Sequence, residues 1–231
     1  MRGWTERLST SGEQARVMKM LRNACKSMVR PSSLLLIDVY GRDPYLILIS
    51  CLLSLRTRDA VSFAASNRLF AQAKTPQKMV VLSLVDLEKL IYPVGFYRRK
   101  ARQIHALSKQ LIDCYKGTVP CAQDQLLSLQ GVGRKTAQLV LGHAFDIPSI
   151  CVDVHVHRIS NALGWVTTKN PEETEYALKA LFDECYWIEL NALLVMWGQN
   201  ICSLKNKRCE QCPFGELCLK NASCLESRKN V

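Results

Sequence analysis

Residues Leu126 to Val140 read LLSLQGVGRKTAQLV, and this run constrains the fold more tightly than any other stretch of the chain. Apolar residues recur at three- and four-residue spacing on both sides of a Gly-x-Gly turn, which predicts a helix, a tight turn and a second helix. Gly131 and Gly133 suit a turn with positive φ, with Val132 held between them. Backbone without side chains lets N–H groups approach a phosphate, and the second helix, beginning near Arg134, points its positive end at the same place. Gly131, Val132, Gly133 and Arg134 are therefore the expected contacts of a helix–hairpin–helix, a clamp that grips nucleic-acid backbone without reading sequence.

The same helical spacing runs through nearly the whole chain. It predicts helices over roughly 12–29, 44–55, 58–73, 83–91, 96–115, 122–129, 134–145, 153–164, 171–182 and 186–200. The run LILIS lacks strict alternation and continues into CLLSL, which suits a buried helix better than a strand. The expected fold class is all-α in two domains. A helical domain carrying the hairpin spans 36–147, and residues 1–35 plus 148–231 form a second domain around a C-terminal cysteine loop.

Charge and apolar content narrow the partners. Of 231 residues, 48% are apolar, enough for a real core. The 31 basic residues outnumber the 20 acidic ones, for a net charge of +11, which favours a polyanion through counterion release. The N-terminal MRGWTERLSTSGEQ has no apolar core of a secretory signal. The longest apolar run, Tyr45 to Leu55, is 11 residues, too short to span a bilayer. A reducing interior is expected, with disulfides disfavoured among the 11 cysteines, and no membrane partner. The compartment would be the cytoplasm, on the nucleoid, in a bacterium or archaeon, and the nucleus or a mitochondrion in a eukaryote.

Four of those cysteines, Cys202, Cys209, Cys212 and Cys218, read C-x6-C-x2-C-x5-C within 17 residues. Zinc sites built from four cysteines usually pair two separated C-x2-C knuckles, and only one is present here. A single tight loop suits one compact [4Fe–4S] cluster, with zinc the competing occupant. Lys205, Lys207 and Arg208 lie between the first two cysteines, in a loop that either presses on phosphates or is solvated.

Two further residues carry candidate chemistry. Lys135 is either one more phosphate contact or a nucleophile, since a lysine amine can attack a sugar C1′ and form a Schiff base. Asp153, in VDVHVHRI (152–159), reads as the N-cap of the next helix, and a carboxylate held there can also stabilise positive charge on a sugar. His155 and His157 are expected to pack or hydrogen-bond nearby rather than to ligate a metal.

Taken together, LQGVGRKTA, VDVHVHRI and C-x6-C-x2-C-x5-C, in this order and spacing, resemble the endonuclease III family of helix–hairpin–helix DNA glycosylases. The resemblance covers about residues 15 to 220. It implies two α-helical domains and a C-terminal [4Fe–4S] loop held by the four cysteines. It implies a monomeric bifunctional enzyme that removes oxidised pyrimidines from double-stranded DNA and cleaves abasic sites, with Lys135 as Schiff-base nucleophile and Asp153 as catalytic carboxylate. Phe96, in PVGFYRRKA, matches a bulky apolar residue that fills the gap left by a flipped nucleotide, and Arg98, Arg99, Lys100 and Arg102 follow it as a run able to track the DNA backbone. The chain departs from the family in LLSLRTRD (52–59), where Arg56 replaces a glutamine expected to contact the base opposite the lesion. Arginine offers a fixed fork of donors suited to guanine or phosphate. Two alternatives follow: a thymine- or uracil·guanine mismatch glycosylase of the same superfamily, and a non-catalytic DNA-binding redox sensor.

Overall fold

The computed structural model describes residue 8, residues 10–203, 208–214 and residue 218. Among these there are twelve α-helices, two short 3-10 turns and no strand, so the architecture is all-α. In chain order the helices are α1 (Ser11–Cys25), α2 (Ser32–Tyr40), α3 (Pro44–Ser54), α4 (Asp59–Gln72), α5 (Pro76–Val81), α6 (Leu84–Ile91), α7 (Tyr97–Tyr115), α8 (Gln123–Ser128), α9 (Arg134–Phe145), α10 (Val154–Leu163), α11 (Pro171–Leu181) and α12 (Trp187–Asn200). They form two compact units, residues 31–147 and residues 1–30 together with 148–231.

In the first unit α3 is the central element. Pro44 opens it and Asp43 caps it, accepting from the N–H groups of Tyr45 and Leu46. Every residue from Tyr45 to Leu53 is then buried, which explains why its sequence shows no amphipathic period. Helices α2, α4, α7 and α9 pack on α3. Its Leu48, Ile49 and Leu52 share one core with Leu69, Phe70, Ile104, Leu111 and Val140. Each such side chain contributes about 1.5–3 kcal/mol by leaving water.

In the second unit α12 packs against α1 and α10. The core is aromatic: Trp165 meets Phe182 and Phe214 edge to face at 5.3 and 6.1 Å, and Trp197 meets Phe214 at 5.9 Å. Asn170 and Pro171 cap and open α11 just as Asp43 and Pro44 do α3.

Two helices, α2 and α5, lie outside the sequence expectation. The run SSLLLIDVY of α2 is apolar without helical period, and its N-cap, Pro31, has no side-chain bond to offer. Helix α5 has only six residues and exists because Thr75 caps it and Pro76 opens it. Conversely, α1 stops at Cys25 rather than continuing to residue 29.

Candidate functional site

The hairpin between α8 and α9 is anchored by its apolar residues. Leu126, Leu129 and Val132 are buried, and the Val132 N–H closes the turn on the Leu129 carbonyl at 3.1 Å. Gly131 adopts φ +78°, and a Cβ there would collide with the Gln103 side-chain amide. Gly133 differs from the expectation. Its φ of −99° and ψ of 174° are ordinary extended backbone, and nothing lies within 4 Å of where its Cβ would stand. Only Gly131 is required by conformation, whereas Gly133 leaves open space in front of α9. Helix α7 clamps the turn. Gln110 donates to the Ser128 carbonyl at 3.1 Å and accepts from the Gln130 N–H at 2.9 Å. Gln138 on α9 donates to Gln123 on α8 at 3.0 Å. Sequence reasoning missed these glutamines; Gln103 and Gln110, seven apart on α7, are a same-face signal it could have used.

Arg134 and Lys135 form the first turn of α9 directly after the hairpin, and Lys135 is exposed. Its charge reaches the buried Cys51 of α3. Burial pushes that thiol up to about 12, against the opposing effects of Lys135 and a hydrogen bond with Ser50. A primary amine is thus presented at an open, glycine-flanked helix start inside a basic protein.

In the second unit Asp153 caps α10. Its Oδ1 accepts from the His155 and Val156 N–H groups, each at 2.9 Å, and the residue is half-buried. The approach to this cap is held by Asn191 on α12, which donates to the Cys151 carbonyl at 2.8 Å. His157 pairs with Thr174 at 2.7 Å, and His155 lies 3.4 Å from the Arg158 guanidinium. Both histidines therefore hydrogen-bond within their unit.

Arg56 and Phe96 are exposed, and both take left-handed backbone, with φ of 52° and 58°. They line a groove of about 1030 Å³ together with Arg99, Arg102, Gln130 and Gly131. The basic run after Phe96 is divided. Arg98, Arg99 and Arg102 are exposed, while Lys100, expected among the backbone-tracking cations, is turned inward with 6% of its surface accessible. Burial lowers its ammonium pKa to about 8.

At the cysteine loop, Cys202, Cys212 and Cys218 are half-buried free thiols. Burial, together with the neighbouring Cys218 and Cys202, raises Cys212 to about 11 despite a hydrogen bond from the Phe214 backbone. That mutual influence places the three sulfurs in one neighbourhood. The Cys202 sulfur accepts from Arg158 at 3.2 Å, and Cys218 donates to the Ala162 carbonyl at 3.3 Å. Cys209 opens the short 3-10 turn Cys209–Gln211, and its carbonyl accepts from the Cys212 N–H at 3.2 Å. Among the described residues no three His, Cys, Asp or Glu side chains close on a single ion. A cubane distributes its ligands over four irons and does not need such closure. A donor set of four cysteine sulfurs suits a thiolate-held cluster. Arg208 is exposed at the start of this segment, while Lys205 and Lys207 lie outside the described residues.

Residues 49–184 match the HhH-GPD superfamily of base excision DNA repair proteins. Fold and hairpin together thus define a helix–hairpin–helix base-excision-repair enzyme. The endonuclease III of Thermotoga maritima is 48% identical over 170 residues, covering 74% of this chain and 80% of the relative. The chain spans 48% and 47% of two longer Arabidopsis thaliana homologues. Two solved structures, a non-covalent endonuclease III–DNA complex and a trapped endonuclease III–DNA covalent intermediate, superpose with TM-scores of 0.80 and 0.78. Each is 31% identical and covers 92% of this chain and 98% of the other. The chain belongs to the endonuclease III family, and it is a DNA-binding glycosylase/lyase of base-excision repair. Members of that family generally carry an iron–sulfur group.

Proposed function

We propose that this glycosylase/lyase acts on oxidised pyrimidines in duplex DNA, with Lys135 as nucleophile and Asp153 as the catalytic carboxylate. The observation that carries this reading is Lys135 itself, exposed in the first turn of α9 immediately behind the Gly131–Val132–Gly133 turn. Backbone N–H groups of the turn, with Arg134, would hold the phosphates beside the lesion, and the damaged nucleotide would leave the stack. The Lys135 amine attacks C1′, the C1′–N bond to the base breaks, and the base departs with a proton. The C1′–O4′ bond then breaks and O4′ takes a proton, opening the sugar and leaving C1′ as an imine with Lys135; its C2′ hydrogens become acidic, and β-elimination breaks the C3′–O bond, 3′ to the site. Asp153 would serve as the carboxylate that the family resemblance implies, stabilising the positive charge that develops on the sugar. One chain carries both residues, so a monomer suffices. The enzyme would work where its DNA is, on a nucleoid or in a nucleus or organelle.

Cys202, Cys209, Cys212 and Cys218 would hold a [4Fe–4S] group, which supplies a rigid crosslink of the loop and a redox-active centre. The exposed Arg208, and with it Lys205 and Lys207, would add phosphate contacts at this loop. Cys212→Ser should lose the visible absorbance of an iron–sulfur protein; stoichiometric zinc without iron in the wild-type protein would overturn the assignment.

Borohydride trapping tests the chemistry. Duplexes carrying thymine glycol, an abasic site or a T·G mismatch are incubated with wild type and with Lys135→Ala. A covalent adduct on thymine glycol and on the abasic site is expected with wild type and absent from the variant. Adduct formation by Lys135→Ala would assign the nucleophile elsewhere. A mismatch-excising reading rests on the exposed Arg56, and base release from T·G with thymine glycol untouched would establish it.

A further inference from the structure

The buried ammonium of Lys100 is used nowhere in that chemistry. Lys100 lies one turn after Phe96, and its N–H donates to the Phe96 carbonyl at 3.0 Å. Its Nζ donates to the Leu53 carbonyl at 2.8 Å, the Leu55 carbonyl at 2.5 Å and Thr57 Oγ1 at 3.2 Å. The two carbonyls belong to the C-terminal end of α3, where helix carbonyls lack intrahelical partners and a cation is favoured. Three acceptors match the three donors of an ammonium.

Thr57 passes this anchorage on. Its Oγ1 accepts from the Gly95 N–H at 3.1 Å. Gly95 sits so close that a Cβ on it would stand 2.6 Å from the Arg56 carbonyl oxygen. The α3–α4 turn and the turn before α7 therefore touch backbone to backbone. On either side of this contact stand the two left-handed residues, Arg56 and Phe96, in a conformation that non-glycine residues rarely adopt. Their side chains meet outside, the Arg56 guanidinium 5.9 Å from the centroid of the Phe96 ring. Phe96 is 62% exposed, an unusual cost in water for an aromatic ring at a tight turn unless something covers it in use.

We propose that Lys100, acting through Thr57 and Gly95, is a positioning residue that holds Arg56 and Phe96 together as one composite wedge for the base stack of damaged duplex DNA. Two flat faces, one cationic, are suited to stack on bases where a nucleotide has been displaced. Held separately, each turn could present its side chain in several directions; joined over one buried ammonium, they present a single shape. The inference rests on the base-flipping reading above and deepens it.

The test uses 2-aminopurine placed opposite an abasic site, whose fluorescence rises when the orphaned base is unstacked. Thr57→Val removes the hydroxyl that joins Lys100 to Gly95 at nearly constant volume, and Thr57→Ser restores it. Wild type should raise the fluorescence. Thr57→Val should lose most of that rise and bind the abasic duplex about tenfold more weakly, the worth of one hydrogen bond to a charged group. Its affinity for undamaged duplex should be unchanged, and Thr57→Ser should recover both signals. Gly95→Ala, which would push the two turns apart and leave the ammonium in place, should reproduce the loss and serves if Thr57→Val does not fold. Full fluorescence and full preference for the abasic duplex in either folded variant would overturn the proposal, as would a wild type that never unstacks the orphaned base. Borohydride trapping of wild type in the same samples separates the failures: no trapped adduct sinks the function itself, whereas trapping with an unaffected variant sinks only the wedge.

Discussion

Helices α9 and α10 both begin with residues proposed to carry the chemistry, yet they begin in opposite ways. Helix α9 starts behind Gly133, which has no side chain to cap it and open space in front of it. Helix α10 starts behind Asp153, whose Oδ1 takes the N–H groups of both His155 and Val156. A helix start closed by its own carboxylate orients that carboxylate in a single way. A start left without a side-chain cap keeps its donors and its positive end for an external anion. The difference suits the two proposed tasks, since one residue must stay aimed and the other helix must receive a phosphate.

The largest test of this contrast is at Asp153. Asn keeps an oxygen that can cap α10 and removes the charge, so Asp153→Asn should preserve the melting temperature while excision falls about 100- to 10,000-fold. Asp153→Ala should lose the cap as well, at about 1 kcal/mol of stability. Equal activity in wild type and Asp153→Asn would reduce Asp153 to a cap.

The far end of α9 gives a pH test. His143, in the last turn, is 7% exposed, and burial, then the Arg42 charge, lowers its pKa to about 4. The unfolded chain takes up a proton near pH 6.5, whereas the folded chain does so only near pH 4, so stability falls as pH drops through that window. The loss should approach about 3 kcal/mol at its lower end. Denaturant melts of His143→Gln should show a flatter dependence between pH 6.5 and 4; the same slope in both proteins would place the proton elsewhere.

Within the hairpin the two glycines should separate. Gly131→Ala meets both a positive φ and the Gln103 side chain, and should cost about 1–2 kcal/mol. Gly133→Ala meets neither, and should leave stability within about 0.5 kcal/mol while weakening DNA binding. The reverse order of stabilities would mean that the turn is held differently from the structure described above.

Some of this was legible in the chain. Helix starts marked by Asp43–Pro44, Asn170–Pro171 and Asp153 could be read directly, because a cap joins a side chain to backbone two or three residues on. The same locality made the Gly131 turn and the placement of Lys135 in the first turn of α9 readable. The helix Ser32–Tyr40 was not legible, since it has no side-chain cap and its central LLLI is a continuous apolar block that carries no period.

The amino-acid sequence by itself determined where helices begin, which residues face outward at those beginnings, and the order of hairpin, capped carboxylate and cysteine loop. Only the tertiary structure decided that Lys100 is an internal anchor rather than a surface cation, that Gln103 and Gln110 brace the turn, and that Gly133 is there for access rather than for its φ. The reason is distance along the chain. Local interactions close within a turn of helix and are written in adjacent letters, whereas Lys100 reaches carbonyls 45 and 47 residues away, and such partners exist only once α3 and α7 have packed.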